Sequence, residues 1–333
     1  MSNSELTISG RIKEEGMILP GMHIRRISAL YVFSIALVMV AMMTFSSTLF
    51  AAVKQKSFGS AEEAVKALVT AARNNDDKEV LAIFGQNAKD LIFSGDRVAD
   101  KRRREKFLNA YDEQNKLVPE GNSMILVIGK NEFPFPIPIV KKGETWIFDV
   151  KKGREEVLNR RIGENELDTI QTCLAIVDAQ MEYAMMEDRE GGLPVYAEKF
   201  GSDPGKKSGL YWPTKEGEEP SPLGELLAKA KSEGYSKKGS KSNPVPYHGY
   251  YYRILKAQGK NAPGGAYNYV VNGKMIGGFA VVAWPAKYGN SGVMTFVVNQ
   301  DGVVYQKNLG PKTGQIAEKM KLFDPDASWK KAG

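Results

Sequence analysis

Apolar positions change their period along the chain, and each change predicts a different kind of element. After Lys56 they recur every three or four residues: Val65, Leu68, Val69 and Ala72 make one helical stripe. Ser60 starts that helix, and Glu63 three positions on completes a capping box. Asp77 caps a shorter helix through Val80, Leu81 and Phe84, which Gly85 closes. The stretch DKRRREKFLNAYDEQNKL predicts a third helix, with Phe107, Leu108 and Tyr111 following a basic run from Lys101 to Lys106. Strands come next, first in SMILVIGK and then in FPFPIPIVKKGETWIFDV. The latter predicts a hairpin turning at Lys141 to Glu144, with Trp146, Phe148 and Val150 alternating on its second arm.

The hairpin's first arm carries Pro134, Pro136 and Pro138 at every second position. Alternation puts Phe133, Phe135, Ile137 and Ile139 on one face, turned to the helices, and points all three missing N–H groups at one edge. A strand of this kind is expected at a sheet border, its free edge blunted against further pairing and its other edge paired with WIFDV. The alternative is a ligand groove walled by the Phe/Ile face.

Beyond residue 155 the helical period returns. Leu167, Ile170, Leu174, Val177 and Met181 predict a helix of about twenty residues, with Asn165 as its N-cap. Cys173 beside that stripe is expected to be a buried thiol, and Glu166, Asp168 and Glu182 a solvated face. Residues from 191 to 246 are rich in Gly, Pro and charge and predict an insertion that is mostly loop. A short helix starts within it at Ser221-Pro222 and stops at Gly234. Strands follow in HGYYYRIL, YNYVV and IGGFAVVAWP, then a hairpin over GVMTFVVNQDGVVYQKNLG turning at Asn299 to Gly302.

The N-terminus has a third pattern. His23, Arg25 and Arg26 precede an unbroken apolar run from Ile27 to Phe45, and small residues at Ala51 and Ala52 follow. Positive flank, apolar segment and small-residue exit predict a secretory signal, with Met1 or Met22 as the start. The run is also about the ~20 residues that span a bilayer, so an uncleaved inner-membrane anchor over 27–45 is the alternative. Either way the expected address is the envelope of a Gram-negative cell, periplasmic or secreted, and membrane association is expected only through this segment. The domains expected are 1–52 as signal or anchor, 53–155 as an N-terminal α+β domain, and 156–333 as a second α+β domain.

Composition narrows the chemistry. The chain has 333 residues, 42% of them hydrophobic and 26% charged, with 46 basic and 39 acidic groups. Cleavage after residue 52 would leave 42 basic and 36 acidic groups, His248 and Cys173. A zinc site of the usual type needs three or four His or Cys ligands and a disulfide needs two cysteines, so neither is expected. No phosphate loop, calcium loop or cofactor motif is present, and no catalytic residue is assigned. His248 alone could serve a serine nucleophile, and it is expected to be a surface or capping residue. KRRREK is the best basic patch, but an exported chain makes nucleic acid an improbable partner, and a solvated helix face is expected. Tyr250, Tyr251 and Tyr252 alternate between faces as core and sheet surface.

Three resemblances follow from these residues. The order of helices followed by a hairpin sheet ending in WIFD resembles the nuclear-transport-factor-2-like fold over Phe58 to Gly153. The helix NEL…I…L..V.AQ.EY, the GYYY strand and FAVVAWPAKYGNSGVMTFVVNQDGVVY resemble the globular head of type IV pilin-like and pseudopilin proteins over Glu164 to Leu309. Unlike a pilin's, however, this helix follows a soluble domain rather than a leader. FPFPIPIV, RRIGENE, SGLYWP, SPLG and GVMTFVVNQDGVVY together resemble the exported bacterial family named domain of unknown function 2950. That resemblance implies an address and a fold and brings no activity.

The expected fold is therefore α+β: N-terminal helices on an antiparallel hairpin sheet, then a long helix on an antiparallel sheet. The expected function is a binding or scaffold module for an envelope protein or polymer, acting without a cofactor. The alternative is a hydrolase of an envelope polymer using paired carboxylates. Expected interaction residues are Phe133, Phe135 and Trp146 around the first sheet, and Arg160, Arg161, Asn165 and Glu166 at the junction of the two parts. Two arginines near a helix N-terminus are electrostatically unfavourable unless acids compensate, which predicts a buried network with Glu155, Glu156 or Glu166.

Overall fold

The structure, a computed structural model, describes residues 54–186, 193–235 and 245–332. The apolar run 27–45 and the cleavage region lie outside them. Residues 52–333 form one compact unit of mixed α+β class, containing two separate apolar cores.

The first core begins with helix α1 (Ala61–Arg73) and helix α2 (Asp77–Phe84). Ser60 Oγ accepts from Glu63 N–H, while Glu63 Oε2 reaches back to Gly59 N–H, one residue beyond the cap. The cap of α2 is Asp76 rather than Asp77. A short helix α3 (Lys89–Ile92) precedes α4 (Arg97–Glu113), which starts three residues before the expected stretch because Asp96 caps it. The rest of that stretch, predicted as helix, instead opens a strand. The sheet comprises β1 (Asn115–Glu120), β2 (Ser123–Ile128), β3 (Phe133–Pro134), β4 (Ile139–Lys142) and β5 (Thr145–Phe148). Its order is β1-β2-β4-β5, all antiparallel, with β3 also on β2. Phe84, Phe107, Phe135 and Phe148 meet between the helices and this sheet, with ring centroids 5.1–6.5 Å apart.

The proline segment is not a border strand. It lies between β2 on one side and β5 on the other, broken by a bend after Phe135. The donor arithmetic still explains its place. Phe135 N–H donates to Leu126 O of β2, so the odd positions keep their bonds. The proline side offers only acceptors: Asp149 N–H donates to Pro138 O, and Arg160 Nη1 donates to Pro134 O (2.9 Å). The edge lacking donors is thus covered by groups that bring donors.

Those groups belong to helix α5, which runs without interruption from Val150 to Met185. Its N-cap is Asp149, not Asn165, and it passes through the expected domain boundary at residue 155. Asp149 Oδ1 accepts from Lys152 N–H (3.2 Å). Gly153 lets the first turn cross the proline segment. A Cβ there would lie 2.6 Å from Pro136 O and 2.7 Å from Ile137 Cα, a clash with backbone that cannot be relieved by rotation. Of the expected stripe, Val177 is buried and Ile170, Leu174 and Met181 pack against the second core, while Leu167 is 67% exposed. The face turned inward carries Arg161, Asn165, Thr169, Thr172, Cys173, Ile176, Gln180 and Tyr183. Its first half is polar because it crosses the seam between the cores.

The second core lies where the C-terminal half of α5 meets an antiparallel meander: β6 (Tyr250–Leu255), β7 (Ala280–Pro285), β8 (Met294–Asn299), β9 (Tyr305–Asn308) and β10 (Lys330–Lys331). Two-residue ladders occupy the stretch between β6 and β7. Helix α6 (Gly224–Ser232) starts two residues after the expected Pro222 and is followed by Gly234 at φ +102. The described part of the insertion is more than loop, since Ala197, Leu210, Trp212 and Leu223 are buried in this core. Helix α7 (Thr313–Lys319) is held by Arg253, whose Nη2 donates to Ala317 O and Met320 O, both at 2.6 Å.

Candidate functional site

The basic run expected to be a solvated face is instead the centre of a polar junction. Three consecutive helical residues project about 100° apart, so Arg102, Arg103 and Arg104 on α4 reach three different parts of the molecule. Arg104 turns back to the first core, donating to Asn75 Oδ1 (2.9 Å) and Asp77 Oδ1 (2.7 Å). Arg103 reaches α5, with Nη2 donating to Asn165 Oδ1 at 2.7 Å and Nε to Glu164 Oε2 at 3.4 Å. Arg102 enters a cluster around His248, just before β6.

Asp96, 2% exposed, serves both sides of the seam. Its Oδ1 accepts from Val98 N–H and Ala99 N–H and so caps α4. Its Oδ2 accepts from Tyr235 OH (2.8 Å) and from Gly249 N–H (3.1 Å), both in the second part of the chain. Tyr235 Oη in turn accepts from His248 N–H (3.2 Å). Burial, and after it the neighbouring Asp96 charge, raises the Tyr235 phenol well above its ordinary value. Gly249 sits at φ +74 where a Cβ would approach Asn165 Nδ2 to 2.6 Å, so only glycine fits against α5.

His248 is 3% exposed and at φ +50, so of the expected surface or capping role the surface one is corrected. The ring packs edge-on to Tyr247, with centroids 4.1 Å apart. Nδ1 lies 2.9 Å from Asp168 Oδ2 and 3.2 Å from Arg102 Nη2. The tautomer decides which contact Nδ1 makes: protonated it donates to Asp168, unprotonated it accepts from Arg102. Arg102 Nη1 is 3.2 Å from Glu233 Oε2, and Nη2 is 3.8 Å from Asp168 Oδ2. Glu233 Oε2 also faces His248 Nε2 at 3.4 Å, an ionic contact without hydrogen-bond alignment. Burial pushes the Asp168 carboxyl up, but the His248 bond and charge, Arg102 and Lys229 outweigh it and hold it below its ordinary value. The solvated face expected of Asp168 and Glu166 is therefore a packed one, and Glu182 alone of the three is exposed.

On α5 the buried positions 161, 165 and 169 carry the seam onward. Arg161 donates through Nη1 to Asp90 O (3.1 Å) and Asn290 Oδ1 (2.9 Å) and through Nη2 to Leu91 O, while its Nε has no partner. Among the described residues Arg161 bonds backbone and amide acceptors rather than a glutamate, and of the network expected with Glu155, Glu156 or Glu166 only the Arg160–Glu156 pair forms, at the surface rather than buried. Because the helix starts at Val150, the N-terminal electrostatics behind that expectation do not arise. Burial lowers the guanidinium to about 10. Asn165 donates from Nδ2 to Ser291 O (2.8 Å). Glu166 Oε1 accepts from Val293 N–H (2.8 Å) and Met294 N–H (2.9 Å) at the start of β8.

The remaining expected residues lie apart from this seam. Arg160 pairs with Glu156 (2.6 Å) and stacks over Phe133, which is 55% exposed, at 4.5 Å from the ring centroid. Phe135 is in the first core, and Trp146 on β5 exchanges backbone hydrogen bonds with Phe58. Sequence reasoning missed Asp96, Arg102 to Arg104, Glu233, Tyr235, Asn290 and Ser291. The available signal was the four-residue spacing of Arg161, Asn165 and Thr169, which puts these polar residues on one face of the helix.

Most polar groups of the junction are partnered; Arg161 Nε and Glu233 Oε2 are buried without a hydrogen bond. Asp96, Glu166 and Asp168 each hold donors from the fold itself, and the two phenols of the cluster, Tyr235 and Tyr247, are raised by burial rather than activated. Among the described residues no three His, Cys, Asp or Glu side chains are placed to hold a metal ion. Among the open grooves of the described surface are one of about 340 Å³ beside Glu63, Lys66 and Asp76, and one of about 420 Å³ beside Lys312, Ile316 and Met320. Neither is lined by a junction residue. A family model described as a protein of unknown function (DUF2950) matches residues 55–332. No curated protein matches the chain, and no solved structure does.

Proposed function

The chain belongs to the DUF2950 family of proteins of unknown function; we propose that it is an exported cell-envelope binding or scaffold module. One observation carries the reading: Asp96, Arg102, Arg103, Arg161 and Glu166 spend their bonds and ion pairs on linking separate segments of the fold across the seam. A paired-carboxylate hydrolase needs a free acid and base facing a substrate cleft. Here the buried carboxylates face backbone N–H groups, a phenol, a histidine and arginines. Such a seam holds two surfaces in fixed relation, which suits a platform. The export part of the reading rests on the pattern of residues 23–52.

The test is fractionation of cells producing a C-terminally tagged chain, with the mature N-terminus read by mass spectrometry and bound species captured by crosslinking in the intact envelope. We expect an N-terminus near Ala51 and a crosslinked envelope component. Release of soluble fragments from purified envelope polymer by the protein would instead favour the hydrolase. Cytoplasmic recovery with an intact N-terminus would refute export.

A further inference from the structure

The second groove differs from the junction in leaving its charges unused. Thr313 and Ala317 of α7 are fully buried, and Arg253 clamps the helix end, so the opposite side of the helix is held outward. That outward side presents Ile316, 42% exposed, with Leu322 (44% exposed) just beyond the helix, while Met320, partly buried, packs against the second core. Lys312 and Lys319 flank Ile316 along the groove, and Lys321 follows. No carboxylate pairs with these three lysines among the described residues. Glu318, the acid of this helix, lies close enough to Arg253 and Tyr251 to act on their ionisation.

We propose that this surface, Lys312, Ile316 and Lys319 along the helix with Lys321 and Leu322 just past its end, docks on an anionic lipid surface. Short apolar side chains enter the headgroup boundary while flexible lysines keep their amines at the phosphates. Charge selects the occupant: Lys312, Lys319 and Lys321 are exposed without a carboxylate partner among the described residues and complement lipid phosphates. The contact is separate from the N-terminal apolar run. It rests on the envelope reading only for where such lipid would be met.

The experiment uses the full chain with Ile316→Cys, labelled by an environment-sensitive thiol fluorophore; the single native cysteine, Cys173, is fully buried. Vesicles of phosphatidylcholine are compared with vesicles that also contain phosphatidylglycerol. A blue shift is expected only with phosphatidylglycerol, diminishing with salt. Lys312→Gln and Lys319→Gln should each weaken it about fivefold, since a basic residue near such a surface contributes ~1 kcal/mol. The same label at Leu167→Cys on α5 should not shift, which separates local docking from anchoring by the N-terminal run. No shift, an equal shift on phosphatidylcholine alone, an equal shift at residue 167, or lysine variants that bind like the parent would each overturn the proposal. Failure here with correct export would leave the envelope reading standing, whereas failed export with docking intact would remove only the location.

Discussion

Replacing Asp96 by serine should uncouple the two cores while leaving helix α4 capped. Serine at an N-cap still offers an oxygen to the helix N–H groups, so the bonds to Val98 and Ala99 have a substitute. Nothing replaces Oδ2. Gly249 N–H and the Tyr235 hydroxyl lose their acceptor at a site where the carboxylate is 2% exposed. An unsatisfied buried donor costs about 1–3 kcal/mol, so two give about 2–6, with ~3 as the working value. Asp96→Ala should cost about 1 kcal/mol more, the cap itself. On a body of this size ~3 kcal/mol lowers the melting temperature by about 6–12 °C. The assay is urea unfolding followed by circular dichroism and by tryptophan emission in a Trp146→Phe background. That background leaves Trp212 and Trp284, buried in the second core, and Trp329, packed against it. The parent should show coincident transitions, and Asp96→Ser should separate them or shift the midpoint. An Asp96→Ser variant within about 0.5 kcal/mol of the parent, with coincident transitions, would refute the claim that this carboxylate couples the cores.

Three further outcomes follow from the same contacts. Gly153→Ala should destabilise by about 1–3 kcal/mol despite alanine's better helix propensity, because the added methyl meets the backbone of Pro136 and Ile137; equal or raised stability in denaturant would contradict the close crossing. Cys173, fully buried and with its thiol pushed up to about 12 by burial, should resist alkylation at pH 8 until the chain is unfolded, and rapid labelling of the native protein would contradict its burial. Asp168→Asn should lose up to about 1 kcal/mol at neutral pH, a modest value because the group is partly exposed. Its folded-state value is held below that of the unfolded chain, so the contribution is present above the ordinary carboxylate range and disappears as pH falls through the folded value. The gap between variant and parent should therefore close in acid, and a gap unchanged below pH ~3 would refute the assignment.

What the sequence determined by itself were the features local in the chain. The capping box at Ser60, the period-two alternation of the strands, the hairpin at Asn299 to Gly302 and the burial of Cys173 depend on neighbours within a few residues. The α+β class follows from their order. The proline segment marks the limit of that reasoning: alternation correctly separates an edge with donors from an edge without, but it cannot say what lies against the second edge. Only the tertiary structure supplies Asp149 N–H and Arg160 there.

The junction was legible in part, because Arg161, Asn165 and Glu166 stand out as polar residues within a helix. Their partners were not, since Arg161 ends on carbonyls about 70 residues earlier and Asn165 on Ser291, far later in the chain. A run such as Arg102-Arg103-Arg104 reads as a solvated face whenever charge is counted without direction. Helical geometry sends the three side chains apart, and the fold decides that each meets an acceptor. The pattern of residues determined which segments form helix or strand. The distances across the seam, where long-range contacts bring buried donors to buried acceptors, were decided only when the two cores met.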